Sequence, residues 1–163
     1  MAMLSKVGYG QVEPNHLSAQ RTGQIYAQLP ADATDYPTLQ NGMFGKYDYV
    51  NGKVTNDGDG PWMLMYNEVK LYDKANQGYK DFYIDNTNGD KYPRMFLMNL
   101  GDMFTTNYIN DGDGTTLTVG EGVDITAGVP TSTATAWVDE EYVIVKVYTL
   151  ADGQVAVKLQ KIL

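Results

Sequence analysis

The sequence predicts an all-β fold, a small antiparallel β-barrel or sandwich with an extended N-terminal arm. Three observations lead to this prediction. Residues 1–40 are polar, contain three prolines and have few consecutive β-branched residues. Residues 41–163 consist of short apolar runs separated by Gly, Asn and Asp, as strands and turns are. Large apolar residues also recur at every second position over residues 155–159. We therefore expect an arm over residues 1–40 and a β-domain over residues 41–163 that folds without the arm.

The arm is predicted to attach the protein to a partner. A Ser18 cap and Pro30 bracket a short predicted helix over residues 18–29. The arm carries too many large apolar residues for a freely disordered tail. Tyrosine offers a large contact area with few rotatable bonds and is enriched at interfaces. Of the 13 tyrosines, the strand interpretation is weakest for those in the arm. The candidate partner-binding residues are Tyr9, Tyr26, Leu29 and Tyr36.

The β-domain is predicted to begin with a hairpin and to continue as short strands. Residues 44–50 and 53–55 flank Asn51-Gly52, a pair suited to a two-residue type I′ turn. Gly120 and Gly122 indicate a bulge or tight corner, and residues 127–136, which are rich in Thr and contain Pro130, are predicted to be a loop. Further strands are expected over residues 62–72, 80–84, 95–98, 104–109, 117–119 and 123–125.

The C-terminal end predicts the clearest hairpin. Residues 142–148 and 155–160 flank a turn at Asp152-Gly153. Val155, Val157 and Leu159 are expected on one face of the second strand, with Ala156, Lys158 and Gln160 on the other. Several short strands at this spacing favour an antiparallel barrel or sandwich.

Composition excludes several classes of function. A chain of 163 residues has the length of one domain. It includes no cysteine, so no disulfide, thiolate nucleophile or cysteine-based zinc site is available. The formal net charge of −8 has the wrong sign for binding phosphate backbones. The sequence shows neither a membrane span nor a signal peptide. We expect a protein left in the cytosol of its producer, with no nucleic acid, membrane or cofactor as partner.

The acidic residues are unevenly distributed. Between Met95 and Val145 the chain has no Lys or Arg but eight acidic residues. This region is either a solvated face that maintains solubility or a surface that meets a basic patch or a cation. The acidic residues are Asp102, Asp111, Asp113, Glu121, Asp124, Asp139, Glu140 and Glu141.

Catalytic motifs are not evident. His16 is the one histidine, and the serines at 5, 18 and 132 lie in no nucleophile elbow. Glycoside hydrolysis needs only two facing carboxylates, for which Glu68, Glu140 and Glu141 are candidates, but any acidic domain offers such pairs. We therefore expect no enzymatic activity.

The segment Asn-Asp-Gly-Asp-Gly occurs twice, at residues 56–60 and 110–114. Alternate carboxylates can begin a calcium loop. Only the first copy has an acidic residue, Glu68, at the twelfth position, and the flanks are strand-like. Tight hairpin turns are the preferred interpretation, and no metal site is predicted.

Residues 95–107 and 117–125 resemble the small β-domains of tailed-phage capsid decoration proteins, which are also called cement or head auxiliary proteins. The shared layout is a strand, a Gly-Asp turn at Gly101-Asp102, a Thr-rich strand and a Val-Gly corner. The resemblance covers about a third of the chain and carries over no site residue by residue. It implies a protein on the outside of the virion that bridges neighbouring capsomers.

The sequence and the resemblance together predict a non-enzymatic structural protein. It would bind the phage major capsid protein at the virion surface after synthesis in the host cytoplasm, and homo-oligomerisation is left open. The alternative is a carbohydrate-binding module that uses Trp62, Trp137 and tyrosines as a stacking platform.

Overall fold

The computed structural model describes residues 10–13, 29–67, 84–112, 116–150 and 153–163. These residues form strands, turns and loops without a helix, so the all-β prediction is confirmed for the described part. No helix in this part of the chain is long and apolar enough to cross a membrane. The predicted helix over residues 18–29 lies, except for its last residue, outside the described residues.

Within the described ranges, twelve strands form three antiparallel sheets. In chain order the strands are β1 (Val12–Glu13), β2 (Thr38–Leu39), β3 (Phe44–Asp48), β4 (Lys53–Thr55), β5 (Met63–Met65), β6 (Ile84–Asp85), β7 (Met95–Phe96), β8 (Met103–Thr106), β9 (Glu121–Thr126), β10 (Val129–Ala136), β11 (Tyr142–Thr149) and β12 (Val155–Lys161). The sheets have the strand orders β1-β8-β12-β11-β9-β10, β4-β3-β5-β7 and β2-β6.

The predicted C-terminal hairpin is confirmed as β11 and β12. Tyr142 pairs with Lys161 at one end and Thr149 pairs with Val155 at the other. Val157 and Leu159 are buried as expected, while Val155 at the strand's start is exposed. The opposite edge of β12 pairs with β8, so this hairpin forms the centre of the six-stranded sheet.

The predicted loop over residues 127–136 is wrong, because these residues form most of a second hairpin. Thr126 pairs with Val129 across a two-residue turn. Ala127 and Gly128 both have positive φ angles, 48° and 78°, as a type I′ turn requires. Pro130 is compatible with a strand here, since β10 lies at the sheet edge, where a missing N–H is tolerated.

The hairpin predicted around Asn51-Gly52 is confirmed, but its loop has four residues instead of two. Asp48 pairs with Lys53, which leaves residues 49–52 in the loop. The Asp48 carboxylate accepts hydrogen bonds from the backbone N–H groups of Val50 and Asn51 at 2.9 and 3.0 Å. This side chain closes the loop that the dipeptide alone was expected to close.

Several predicted strands are shorter than expected. The described part of the strand predicted over residues 62–72 contains β5, which has three residues. The strand predicted over residues 95–98 corresponds to β7, which has two residues. Residues 117–119 form no strand, because Val119 already belongs to the turn that precedes β9. Residues 68–72 and 80–83 lie outside the described residues.

Two clusters of buried side chains hold the sheets together. The first contains Phe104, Tyr142 and Leu159 from the six-stranded sheet, together with Phe44 and Leu64 from the four-stranded sheet. The second contains Met63, Met65 and Met95 with Tyr36 and Leu39. Since Leu64 belongs to the first cluster and its two neighbours to the second, β5 is buried on both faces.

Residues 31–40 differ from the arm predicted over residues 1–40. Ala31, Tyr36 and Leu39 are buried in the second cluster, and β2 pairs with β6. The buried Asn86 side chain donates hydrogen bonds to the backbone carbonyls of Ala31 and Tyr36, at 3.0 and 2.9 Å. The paired strands β2 and β6 lie about 45 residues apart in the sequence. The local sequence pattern therefore did not reveal this packing.

Candidate functional site

An open groove beside the C-terminal end is the candidate binding site. It has a volume of about 530 Å³ and combines apolar side chains with charged ones. Loops that precede β5 and follow β7 meet the last residues of the chain there. The groove is lined by Lys46, Gly60, Pro61, Trp62, Leu97, Met98, Glu141, Lys161 and Leu163.

The apolar wall of the groove is anchored in the protein core. Trp62 is half-buried and packs against the first cluster, to which Met98 itself belongs. Leu163 is 55% exposed, yet its backbone is held, because the N–H groups of Ile162 and Leu163 both donate to the carbonyl of Glu141. The wall is therefore positioned by secondary structure and offers an exposed apolar side chain at its end.

Two lysines give the groove positive charge. Lys46 Nζ lies 4.7 Å from the centroid of the Trp62 ring, which is within range of a cation–π interaction. Lys161 Nζ lies 2.7 Å from Glu141 Oε2 and 4.8 Å from the centroid of the Tyr142 ring. Lys161 is thus partly neutralised, and Lys46 is the more available cation.

The groove offers contacts but no evident catalytic arrangement. Among the described residues there is no group of three His, Cys, Asp or Glu side chains that could hold a metal ion. Within the groove, Glu141 is the one carboxylate and it forms an ion pair with Lys161. The arrangement is suited to holding an extended partner segment that carries apolar and acidic groups.

The predicted partner-binding residues fall in different environments. Tyr36 is only 2% exposed, and its hydroxyl donates a hydrogen bond to the Phe44 carbonyl at 2.9 Å. Burial raises the pKa of the Tyr36 hydroxyl well above its usual value. Leu29 is half-buried against the second cluster. Tyr36 is therefore a core residue in this structure, and Tyr9 and Tyr26 lie outside the described residues.

The two tryptophans of the carbohydrate alternative are both near the molecular surface. Trp137 is 41% exposed, and its indole N–H donates to the Glu140 carbonyl at 3.1 Å. Lys46 covers part of the Trp62 ring system. Neither feature prevents a sugar from stacking on the remaining ring surface.

Two side chains that were considered for catalysis, the rejected Ser132 and the candidate Glu140, have structural contacts. Ser132 is buried, and its hydroxyl donates to Glu121 Oε2 at 2.7 Å. Glu140 Oε2 accepts hydrogen bonds from the Val138 and Asp139 N–H groups, which lower the pKa of its carboxyl. Ser5, His16, Ser18 and Glu68 lie outside the described residues.

Several carboxylates of the region between Met95 and Val145 stabilise local backbone. Asp102 accepts a hydrogen bond from the Asn99 N–H, Glu121 from that of Thr118, and Asp124 from that of Glu141. Asp102 and Glu121 thus hold turns, and Asp124 connects β9 to the residue before β11, roles that neither of the two sequence-based interpretations included.

The first Asn-Asp-Gly-Asp-Gly segment is not a tight hairpin. It connects β4 to β5, which lie on opposite sides of β3. The chain crosses close to β3, because a Cβ at Gly58 would lie 2.7 Å from the Tyr47 carbonyl oxygen. Part of the second copy, residues 113–115, lies outside the described residues.

Sequence reasoning missed the lysines of the groove, Lys46 and Lys161. They come from strands about 115 residues apart, so no local motif joins them. The signal that was available is that Lys46 lies on a predicted strand and Lys161 directly follows one. Searches for similar proteins find no matching family model, no matching curated protein and no matching solved structure.

Proposed function

We propose that this protein is a non-enzymatic structural protein that binds the outer surface of a phage capsid and bridges or stabilises major capsid subunits. The observation that carries the proposal is the groove beside Trp62, which combines an exposed apolar end at Leu163 with the cation of Lys46. Mixed apolar and charged surfaces of this kind are typical of protein interfaces. The resemblance of residues 95–107 and 117–125 to capsid decoration proteins supplies the class of partner.

In this proposal the β-domain is a sandwich, and the attachment segment is shorter than residues 1–40. The six-stranded and four-stranded sheets both contribute to the first cluster, which favours the sandwich over a barrel. Residues 31–40 belong to the folded body, and β1 pairs with β8. Tyr9 and Tyr26 remain the candidate anchors on the segments that flank β1.

Co-sedimentation with empty heads of the encoding phage, prepared without this protein, tests the proposal. Tyr9→Ala, Tyr26→Ala, Lys46→Glu and Leu163→Asp should each weaken binding about tenfold, since interface energy concentrates in a few aromatic and buried anchors. Their melting temperatures should change little. Val119→Asp, which alters an exposed apolar residue outside the groove, is the matched control. Failure of the unmodified protein to co-sediment contradicts the proposal.

The carbohydrate-binding alternative is favoured by one observation, a half-buried tryptophan in an open groove that also contains charged side chains. Aromatic rings stack on the apolar faces of sugars, and groove lysines and Glu141 offer hydrogen bonds to hydroxyl groups. A glycan array separates the two functions. Binding to a glycan that is lost in Trp62→Ala, together with no sedimentation with heads, would favour the alternative.

A further inference from the structure

The β8 side of the six-stranded sheet is completed by a strand of only two residues, β1. In this strand Val12 pairs with Thr106 and Glu13 pairs with Thr105. Hydrogen bonds from the segment over residues 10–13 reach side chains that are at least 30 positions away in the sequence. The segment is therefore attached to the body of the protein by contacts that its own sequence neighbours do not supply.

Three buried side chains of the body bind the backbone of this segment. The side-chain carbonyl of Gln40 accepts a hydrogen bond from the Gly10 N–H at 2.9 Å, and that of Asn107 accepts one from the Gln11 N–H at 2.7 Å. The Thr106 hydroxyl donates to the Gln11 carbonyl at 2.8 Å. All three side chains are 7% exposed or less. Together with the edge of β8 they form what we call the strand-binding site.

The strand-binding site is selective for the sequence of its occupant. A Cβ at Gly10 would lie 2.3 Å from the Asn41 carbonyl oxygen and 2.9 Å from the Tyr108 ring, which is too close for any residue except glycine. Two positions further on, Val12 packs against the first cluster. The site thus takes an extended segment with glycine followed two residues later by an apolar side chain. The same segment of another copy of this chain meets both requirements.

The strand-binding site does not distinguish which copy of the chain supplies the segment. The contacts are the same in either case, and the difference lies in the covalent connection through residues 14–28. These 15 residues can span up to about 50 Å. A compact chain of this length has a radius of gyration of about 15 Å, or a diameter of about 40 Å. The connection is therefore long enough for the segment to reach the site on an adjacent copy.

The segment is held by few contacts, so it can leave its own site at low cost. A cavity of about 110 Å³ remains beside Gln11 and Val12, which shows that β1 does not fill the space between itself and the body. Short, incompletely packed edge strands are among the parts of a protein that open most easily. When β1 leaves, the edge of β8 is open to another strand.

We propose that residues 10–13 are exchanged between copies of this chain, so that β1 of one copy occupies the strand-binding site of a neighbouring copy. Such an exchange has a low cost, because each contact that is lost within one copy is formed again between two copies. A connection of this length sets an effective concentration on the order of 1 mM. Exchange therefore competes with the intrachain contact wherever copies are held side by side, and this inference does not depend on the identity of the surface that holds them.

Paired cysteines test the exchange, since the chain has no cysteine of its own. Glu13 and Thr105 lie directly opposite each other, and opposite Cβ atoms are about 4.5–5.5 Å apart, within reach of a disulfide. A Glu13→Cys chain and an isotope-labelled Thr105→Cys chain are mixed at about 1 mM and oxidised. Mass spectrometry should show about tenfold more mixed-label dimer than in a control with Thr135→Cys, an exposed position on β10 at the other edge of the sheet.

Gly10→Val makes the test directional. In the Glu13→Cys chain it should abolish the cross-link, because the segment that is delivered no longer fits. In the Thr105→Cys chain it should raise the cross-link about tenfold, because that chain's own segment no longer competes for the site. Equal effects of Gly10→Val in the two chains, or no excess of cross-link over the Thr135→Cys control, would overturn the inference.

Sedimentation equilibrium without any cysteine gives an independent measurement, which also covers the case of a Thr105→Cys chain that fails to fold. The unmodified chain should contain dimer or larger species at about 1 mM and monomer at about 1 µM. The Gly10→Val chain should remain monomeric at both concentrations. A monomeric unmodified chain at about 1 mM, or association that Gly10→Val leaves unchanged, would contradict the exchange of residues 10–13.

Discussion

Residues 103–163 and residues 29–98 build their sheets in opposite ways. In the first region the strands are long and come as neighbouring hairpins, with eight residues each in β10 and β11. In the second region β2, β6 and β7 have two residues each, and their partners are distant in the sequence. The first region is organised by local pairing, and the second by burial between two clusters.

The two clusters also differ in side-chain chemistry. The first contains a triangle of aromatic rings, Phe44, Phe104 and Tyr142, whose centroids are 5.7 to 6.2 Å apart. The second depends on three methionines and two tyrosines. Methionine adapts to irregular gaps, which suits strands that are short and buried on both faces. The second cluster is therefore assembled from short segments that are spread over residues 29–97.

The largest expected effect comes from removing the segment that covers the second cluster. A chain that starts at residue 41 loses Ala31, Tyr36 and Leu39, which are all buried. Truncating two large buried side chains typically costs about 2–5 kcal/mol each, which is comparable to a total stability of about 5–15 kcal/mol. We expect this chain to lose cooperative unfolding, as measured by circular dichroism and tryptophan fluorescence during thermal melting.

The matched control is a chain that starts at residue 29. It keeps the second cluster and loses β1, whose Val12 is only partly buried. It should melt cooperatively and much closer to the full chain. If the chain starting at residue 41 melts within a few degrees of this control, then residues 31–40 are a dispensable arm, as the sequence alone predicted.

A smaller effect compares one buried tyrosine from each cluster. Tyr36→Phe removes a hydroxyl that donates to the Phe44 carbonyl, so the free energy of unfolding should fall by about 1 kcal/mol. Tyr142→Phe removes a buried hydroxyl that has no partner among the described residues, and it should raise the free energy of unfolding by about 1 kcal/mol. Chemical denaturation of the two variants measures the sign of each change in the free energy of unfolding. A Tyr142→Phe variant less stable than the unmodified protein would contradict the comparison.

The sequence predicted the all-β class and both hairpins that rest on local signals. Alternation identified β12, the apolar run before the Asp152-Gly153 turn identified β11, and Asn51-Gly52 marked the β3–β4 hairpin. Pro130 and the threonines around it led to the prediction of a loop where β10 lies. An edge strand tolerates proline, but whether a strand lies at an edge depends on the order of strands in the sheet. A short stretch of sequence does not contain that order. Tyr36 was assigned to an interface for its residue type, whereas its burial depends on Met63, Met65 and Met95.

The smallest expected effect is a different response of the two regions to acid. Hydrogen bonds from Asn51 lower the pKa of Asp48, the Lys53 side chain lowers that of Asp32, and Thr87 lowers that of Asp85. All three belong to residues 29–98, whereas the described part of residues 103–163 has one such carboxyl, Glu140, whose pKa is lowered by the backbone N–H of Val138. A carboxyl whose pKa is lowered by folding stabilises the native state above its unfolded pKa of about 3.9, and this contribution is lost as the pH falls through the folded value.

Amide protection factors, which correct for the slower intrinsic exchange in acid, should therefore fall in the β3–β4 loop below about pH 4, before they do so in β11 and β12. Carbon-detected NMR titration of the side-chain carboxyls measures the three pKa values directly. Asp48→Asn should make the loop exchange faster at neutral pH and remove most of its additional response to acid, because the amide keeps an acceptor but cannot titrate. Equal acid sensitivity of the two regions would show that the carboxylates of residues 29–98 do not set the response.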